Sequence, residues 1–312
     1  INLMVLVALL MPLSLLGQKE ITKTFSGIKK IKMGTASGSC VIKKSDNATV
    51  KLELKYTYDN DDYTPSIVQE GDVLVVKEKF HSNSSSGSAD WKLTVPDNLS
   101  IQFSTGSGDV EASGLAMDLN ATTGSGDFVF SGTSGEIECT TGSGSIELEN
   151  VGGTIKATSG SGGFRVSNAK GNLNLTTGSG NHRITQSTAE LHVTTGSGSI
   201  NCTGITLEGS SAFTTGSGRA EVQLAASPKH NLAVSSGSGD AIVNFNGNEI
   251  NGEIVMKASK KHGNIDAPFE FDKTEEISHS HNDVTIQKTA KKGTGGPRIS
   301  ISTGSGDAVL KK

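Results

Sequence analysis

Large aromatic side chains are scarce: they make up 4% of the 312 residues, and there is a single tryptophan. A conventional globular core needs large side chains, so this shortage excludes one thick core and favours many thin layers. Cysteine is also rare. Cys40, Cys139 and Cys202 are odd in number and far apart, which excludes a disulfide framework and points to small buried hydrophobes. No block of lysine and arginine is paired with aromatic residues, and the net charge is only −4, so nucleic-acid binding is not expected. Residues 1–16 are almost wholly apolar and are followed by Gly17 and Gln18. They read as the h-region of a signal peptide, 1–17, that lacks its own start. The run is short for a membrane span, and no cysteine follows it to carry a lipid anchor. The mature chain is therefore expected to begin near Gln18, to have no membrane span, and to lie in the periplasm, at the cell surface or outside the cell.

Glycine, in contrast, is abundant at 39 residues, and much of it is periodic. Gly-Ser-Gly starts at Gly106, Gly124, Gly142, Gly160, Gly178 and Gly196, each 18 residues after the last, with further copies at Gly216, Gly237 and Gly304. A fixed period near 20 residues is the signature of a solenoid. Aligned on that period, the chain shows apolar columns. One holds Ile101, Leu119, Ile137, Ile155, Leu173 and Leu191; another, past the glycines, holds Val110, Phe128, Ile146, Phe164, His182 and Ile200. Polar residues alternate with them, so each coil is expected to carry one strand before the Gly-Ser-Gly corner and one after it, with one face of each buried. Glycine suits such a corner because it tolerates positive φ and has no Cβ to crowd the next coil. Inward Thr105, Thr123, Thr141, Ser159, Thr177 and Thr195 can stack as a hydroxyl ladder beside it.

These patterns predict an all-β fold: a right-handed single-stranded parallel β-helix, or β-solenoid, with about 18 residues per coil. Residues 18–96 form an N-terminal β-rich cap and first irregular coils, 97–245 the regular coils, and 246–312 irregular C-terminal coils and a cap. Ile31, Met33, Thr35, Ser37, Cys40 and Ile42 repeat the spacing of the regular coils, so the solenoid is expected to begin there. Residues 58–65 and 81–89 read as polar loops, and Ile299 to Leu310 restores the pattern after the excursion at 246–298.

The start Phe25–Ile31, the segment Trp91-Lys92-Leu93-Thr94-Val95-Pro96, the Thr-Gly-Ser-Gly repeats and the ending Gly296-Pro297-Arg298-Ile299 through Asp307 together resemble a bacterial family of secreted, adhesin-like domains of unknown function with β-strand repeats. The resemblance implies a parallel β-helix with a surface or adhesion role, and it brings no catalytic residues.

Rival chemistries fit poorly. A calcium-binding nonapeptide roll needs an aspartate in each turn; the position after Gly-Ser-Gly holds Asp109, Asp127, Ser145, Gly163, Asn181, Ser199, Arg219 and Asp240. A hexapeptide acyltransferase helix needs an aliphatic residue every six, and six and twelve on from Leu119 stand Ser125 and Ser131. A polysaccharide-cleaving site needs convergent acids; Asp109 with Glu111, or Asp109 with Asp127, are the candidates, and both read more simply as solvated carboxylates. His279, His281 and Asp283 have metal-ligand spacing on one strand but read as a polar strand or loop. His182 reads as a hydrogen-bonded or corner-exposed residue. The outward file Thr122, Thr140, Thr158, Thr176 and Thr194 is flanked by charged, uneven neighbours that do not suit an ice-binding face.

No residue is therefore assigned a catalytic, cofactor-binding or metal-ligating role, and no cofactor is expected. The expected function is a non-enzymatic cell-envelope or surface binding scaffold, an adhesin-like protein, with a polysaccharide-active β-helix enzyme or a self-assembling envelope protein as alternatives. The partner is unknown; a surface glycan or an envelope protein fits the class, sought first at the excursions 58–89 and 246–298.

Overall fold

The computed structural model describes residues 18–81, 86–280 and 283–312. The apolar segment 1–17 and His281 lie outside them. Every helix or strand among the described residues is a β-strand. Strands stack in two sheets around a shared apolar interior. One sheet is made of longer strands, such as Met117–Thr123, Ser134–Thr141, Gly152–Ser159 and Lys170–Thr177, paired in parallel. The other is made of four-residue strands such as Phe128–Ser131, Ile146–Glu149, Phe164–Ser167 and His182–Thr185, also parallel. The chain passes from long to short strand through Gly-Ser-Gly and back through a second corner.

Register follows the apolar columns. Leu119 faces Ile137, Ile137 faces Ile155, and the file continues through Leu173 to Leu191. Ile137, Ile155, Leu173 and Leu191 are at most 1% exposed. Alternation has a period of two, so any one-residue slip would turn this whole file to water. The three cysteines are free and buried. Burial pushes the Cys40 thiol up to about 12 and raises Cys139 and Cys202 further, so all three are inert apolar filler.

The Gly-Ser-Gly corner departs from the conformational expectation. Its glycines do not adopt positive φ. Glycine is required there by close approach alone: a Cβ on Gly124 would press on the carbonyl oxygen of Gly106, and one on Gly126 on that of Gly108. The hydroxyl ladder forms and holds this corner together. Thr141 Oγ1 donates to the carbonyl of Gly126 at 2.9 Å and accepts the Gly144 N–H at 3.0 Å; Ser159 and Thr195 repeat the arrangement. Each hydroxyl thus ties its own turn to the turn of the preceding coil.

Positive φ falls at the second corner instead, at Gly114, Gly132, Asn150, Asn168, Gln186 and Gly204, with φ between 49° and 72°. Left-handed backbone is easy for glycine, tolerable for asparagine and strained for glutamine.

The excursions are built largely of strands. Lys30–Thr35 pairs directly and in parallel with Leu99–Thr105, and Cys40–Lys44 with Val110–Ser113, across about 70 residues of sequence. The intervening residues extend both sheets outward. Val73–Phe80 and then Tyr63–Glu70 continue the long-strand sheet. Ala89–Val95, Thr49–Tyr56 and Lys19–Ser26 continue the other. The stretch 58–65 is not a polar loop throughout: Tyr58 and Tyr63 are buried and stack at 4.8 Å, with Phe80 against both. At the other end, Arg298–Thr303 pairs with Leu232–Ser236, resuming the stack after the excursion. Gly252–Ser259, Asp283–Lys292 and Lys273–Ser280 then close the long-strand sheet. Phe269 and Phe271 pack on the core, with the ammonium groups of Lys292 and Lys288 over their rings at 4.4 and 5.3 Å. In both sheets at the N-terminal end, and in the long-strand sheet at the C-terminal end, parallel pairing gives way to antiparallel. Such edges stop further stacking.

A polar trough on the short-strand sheet

Alternation places every second residue of the four-residue strands in solvent. One outward file runs Glu111, Val129, Glu147, Arg165, Arg183 and Asn201, each in register with the next. Between this file and the Gly-Ser-Gly corner lies an open trough of about 740 Å³. Its corner side is hydroxyl-rich, with Ser143, Ser161 and Ser179 from the turns and Ser145, Asn181 and Ser199 just after them. Gly163 is the member of that post-turn column with no side chain, and a Cβ there would press on the carbonyl oxygen of Asn181. A smaller hollow of about 130 Å³ lies on the other side of the same arginines, beside Ser167 and Thr185. The lining of the trough owes nothing to the two excursions. The signal for it in the sequence is the outward file Glu147, Arg165 and Arg183, one residue from each of three successive coils.

Two of the acids weighed as catalytic candidates, Asp109 and Asp127, have another role. Asp109 Oδ1 accepts the backbone N–H of Asp127 at 2.8 Å, and Asp127 Oδ1 accepts that of Ser145 at 2.7 Å. Asn181 does the same for Ser199 at 2.8 Å, and Asp240 for Asp307 at 3.0 Å. The column after Gly-Ser-Gly is therefore a side-chain ladder that satisfies otherwise unpaired turn N–H groups. Any short acceptor serves, which is why aspartate, asparagine and serine interchange there. Of the metal-spaced trio, His281 lies outside the described residues.

Residues 28–266 match the sequence profile of the family described as Toastrack DUF4097. The chain belongs to the Toastrack DUF4097 family. No curated protein matches it. Among solved structures, a "putative adhesin" from Bacteroides fragilis is 16% identical, with 69% of this chain and 93% of that one covered and a TM-score of 0.43. A "putative adhesin" from Parabacteroides distasonis is 14% identical over 94% of this chain and 97% of that one, with a TM-score of 0.38. A "putative lipid binding protein" from the same species is 13% identical over 95% and 97%, with a TM-score of 0.29. Likenesses this distant carry nothing about a ligand.

In this Toastrack chain His182 is buried and not exposed at a corner. It is 2% exposed, neither ring nitrogen has a partner of good hydrogen-bond geometry among the described residues, the Thr194 backbone giving only a weak contact, and the ring stacks on Phe164 at 4.7 Å and 13°. Aromatic stacking within the file explains how a histidine fits an apolar column. Burial pulls its pKa down to about 4. The unfolded chain titrates near 6.5, so it takes up the proton first as pH falls. Stability is thus full above about pH 6.5 and falls by about 3 kcal/mol on the way to about pH 4. His182→Leu is expected to remove this loss. In urea titrations the variant's advantage over wild type should grow from pH 7.5 to pH 4.5; parallel pH profiles would refute the assignment.

Proposed function

We propose that the chain is a non-enzymatic binding scaffold of the cell envelope or surface, adhesin-like in kind. We infer that it is built as a right-handed β-helix of about 18-residue coils and exported by means of segment 1–17. The observation that carries the reading is the tethering of Asp109 and Asp127. Glycoside cleavage needs two carboxyl groups facing each other across a sugar, about 5–9.5 Å apart. These two instead point along the stack, each accepting a backbone N–H from the following coil. In each, Oδ1 serves the fold. The antiparallel strands beyond the parallel stack argue against an end-to-end structural filament.

Purified protein starting at Gln18 is expected to retain soluble or immobilised polysaccharide without generating new reducing ends. EDTA should leave its thermal midpoint unchanged. Turnover that vanishes in Asp127→Asn would replace the scaffold with an enzyme, and a large EDTA-induced fall in the midpoint would restore a calcium roll.

A further inference from the structure

We propose that the trough binds the acidic groups of a polysaccharide, with Arg165 and Arg183 as the two contacts that recognise charge. The inference rests on the scaffold reading and names its ligand class. The chain has four arginines. Arg219 pairs with Glu221 at 3.3 Å and Arg298 lies 3.8 Å from Glu253. Arg165 and Arg183 make no ion pair among the described residues, although Glu147 stands one strand from Arg165. They also face each other in register on neighbouring strands, about 4.8 Å apart. Like charges directly opposite on a sheet are destabilising. The stack elsewhere places opposite charges in this relation, as with Glu138 and Lys156 at 2.6 Å. Two guanidinium groups set side by side, each a planar fork of donors, form a ready receptor for a carboxylate or sulfate.

Three features select a glycan among anions. The facing rim of Ser143, Ser161 and Ser179 supplies hydroxyls, which exchange hydrogen bonds with sugar hydroxyls as readily as with water. The trough runs along the stack, so successive coils offer the same groups at about 4.8 Å intervals, suited to an extended polymer. Asp127 and Glu147 close one end of the trough. They disfavour a densely charged polyanion such as a nucleic acid, which carries a negative charge about every 1.7 Å, and favour a chain with spaced charges.

The test is affinity electrophoresis and calorimetry of the chain from Gln18 onward with polygalacturonate, heparin and uncharged dextran. The wild type should bind one or both acidic polymers in a salt-sensitive manner and dextran far more weakly. The polygalacturonate and heparin arms separate carboxylate from sulfate preference. Arg165→Gln and Arg183→Gln should each weaken binding about tenfold, with thermal midpoints unchanged or slightly raised by relief of the like-charge pair. Arg219→Gln, at an arginine paired within the protein, should bind as wild type. The proposal is overturned if neither acidic polymer binds, if dextran binds as well, or if both trough variants bind normally. In those cases a retained affinity for another envelope component, without turnover, would leave the scaffold reading standing. Hydrolysis of any polymer would remove that reading as well.

Discussion

Ile155→Asp is expected to abolish stable folding of the regular coils, while Lys156→Asp, one residue on, should be nearly silent. Ile155 is 1% exposed and sits in register between Ile137 and Leu173. Removing its side chain from the file forfeits about 1.5–3 kcal/mol of apolar burial. The aspartate that replaces it finds no cation and no donor among aliphatic neighbours. An uncompensated buried charge adds several kcal/mol more, so the total is on the order of 5 kcal/mol, comparable with the stability of a whole domain. Lys156 points outward, with its side chain 61% exposed, and pairs with Glu138 at 2.6 Å. Exposed pairs contribute about 0–1 kcal/mol, and the variant adds a mild repulsion from Glu138. Urea denaturation followed by circular dichroism measures both. Similar midpoints for the two variants would mean that the strand does not alternate as described.

The sequence exposes this register because the regular coils repeat their spacing without insertion. Even the pairing of Ile31 with Ile101, across 70 residues, is legible: Ile31 to Ile42 keeps the same internal spacing as Ile101 to Ala112. The second corner is not legible, because its left-handed position is filled in turn by glycine, asparagine and glutamine, and no single residue type marks it. The fold of the excursions is also hidden. Some of their strands pair antiparallel with partners distant in sequence, as Lys19–Ser26 does with Thr49–Tyr56, and the tyrosines at the N-terminal end are spaced by Asp59, Asn60, Asp61 and Asp62, which read as a polar loop. The trough was half visible. Glu147, Arg165 and Arg183 fall in one column of the sequence, but the lack of an ion pair at the arginines depends on side-chain placement that no spacing reveals.

Glu78→Ala should detach the N-terminal cap while leaving the regular coils folded. In the regular coils the first N–H of each Gly-Ser-Gly turn is satisfied by the coil before it, as when the Gly142 N–H donates to the Gly124 carbonyl at 3.0 Å. Gly106 donates in the same way to Ala36 at 2.8 Å. Ala36 opens the first turn and has no coil before it. Its N–H donates instead to Glu78 Oε2 at 2.7 Å. The other oxygen, Oε1, accepts the Tyr63 hydroxyl and the Trp91 indole N–H, each at 3.0 Å. Val76 pairs with Met33 and Lys77 with Gly34, so Glu78 follows at the level of Thr35, in the file that carries the ladder hydroxyls. One carboxylate thus replaces a missing coil. Burial, with the Glu78 charge second, pushes the Tyr63 phenol pKa up, which favours its role as the donor to Glu78. Hydrogen bonds to a charged acceptor contribute about 1.5–3 kcal/mol each. They share one partly exposed group and do not add fully, so the expected loss is about 3–5 kcal/mol for Glu78→Ala. Glu78→Gln, which keeps one acceptor oxygen, should lose about half as much. Trp91 is the only tryptophan and is 1% exposed, so its fluorescence reports the cap alone, while circular dichroism reports the whole stack. In a solenoid the two can separate, because each coil is held mainly by its neighbours. The expected result for Glu78→Ala is a tryptophan transition at clearly lower urea than the dichroism transition. A single coincident transition at the wild-type midpoint would show that Glu78 does not hold the end.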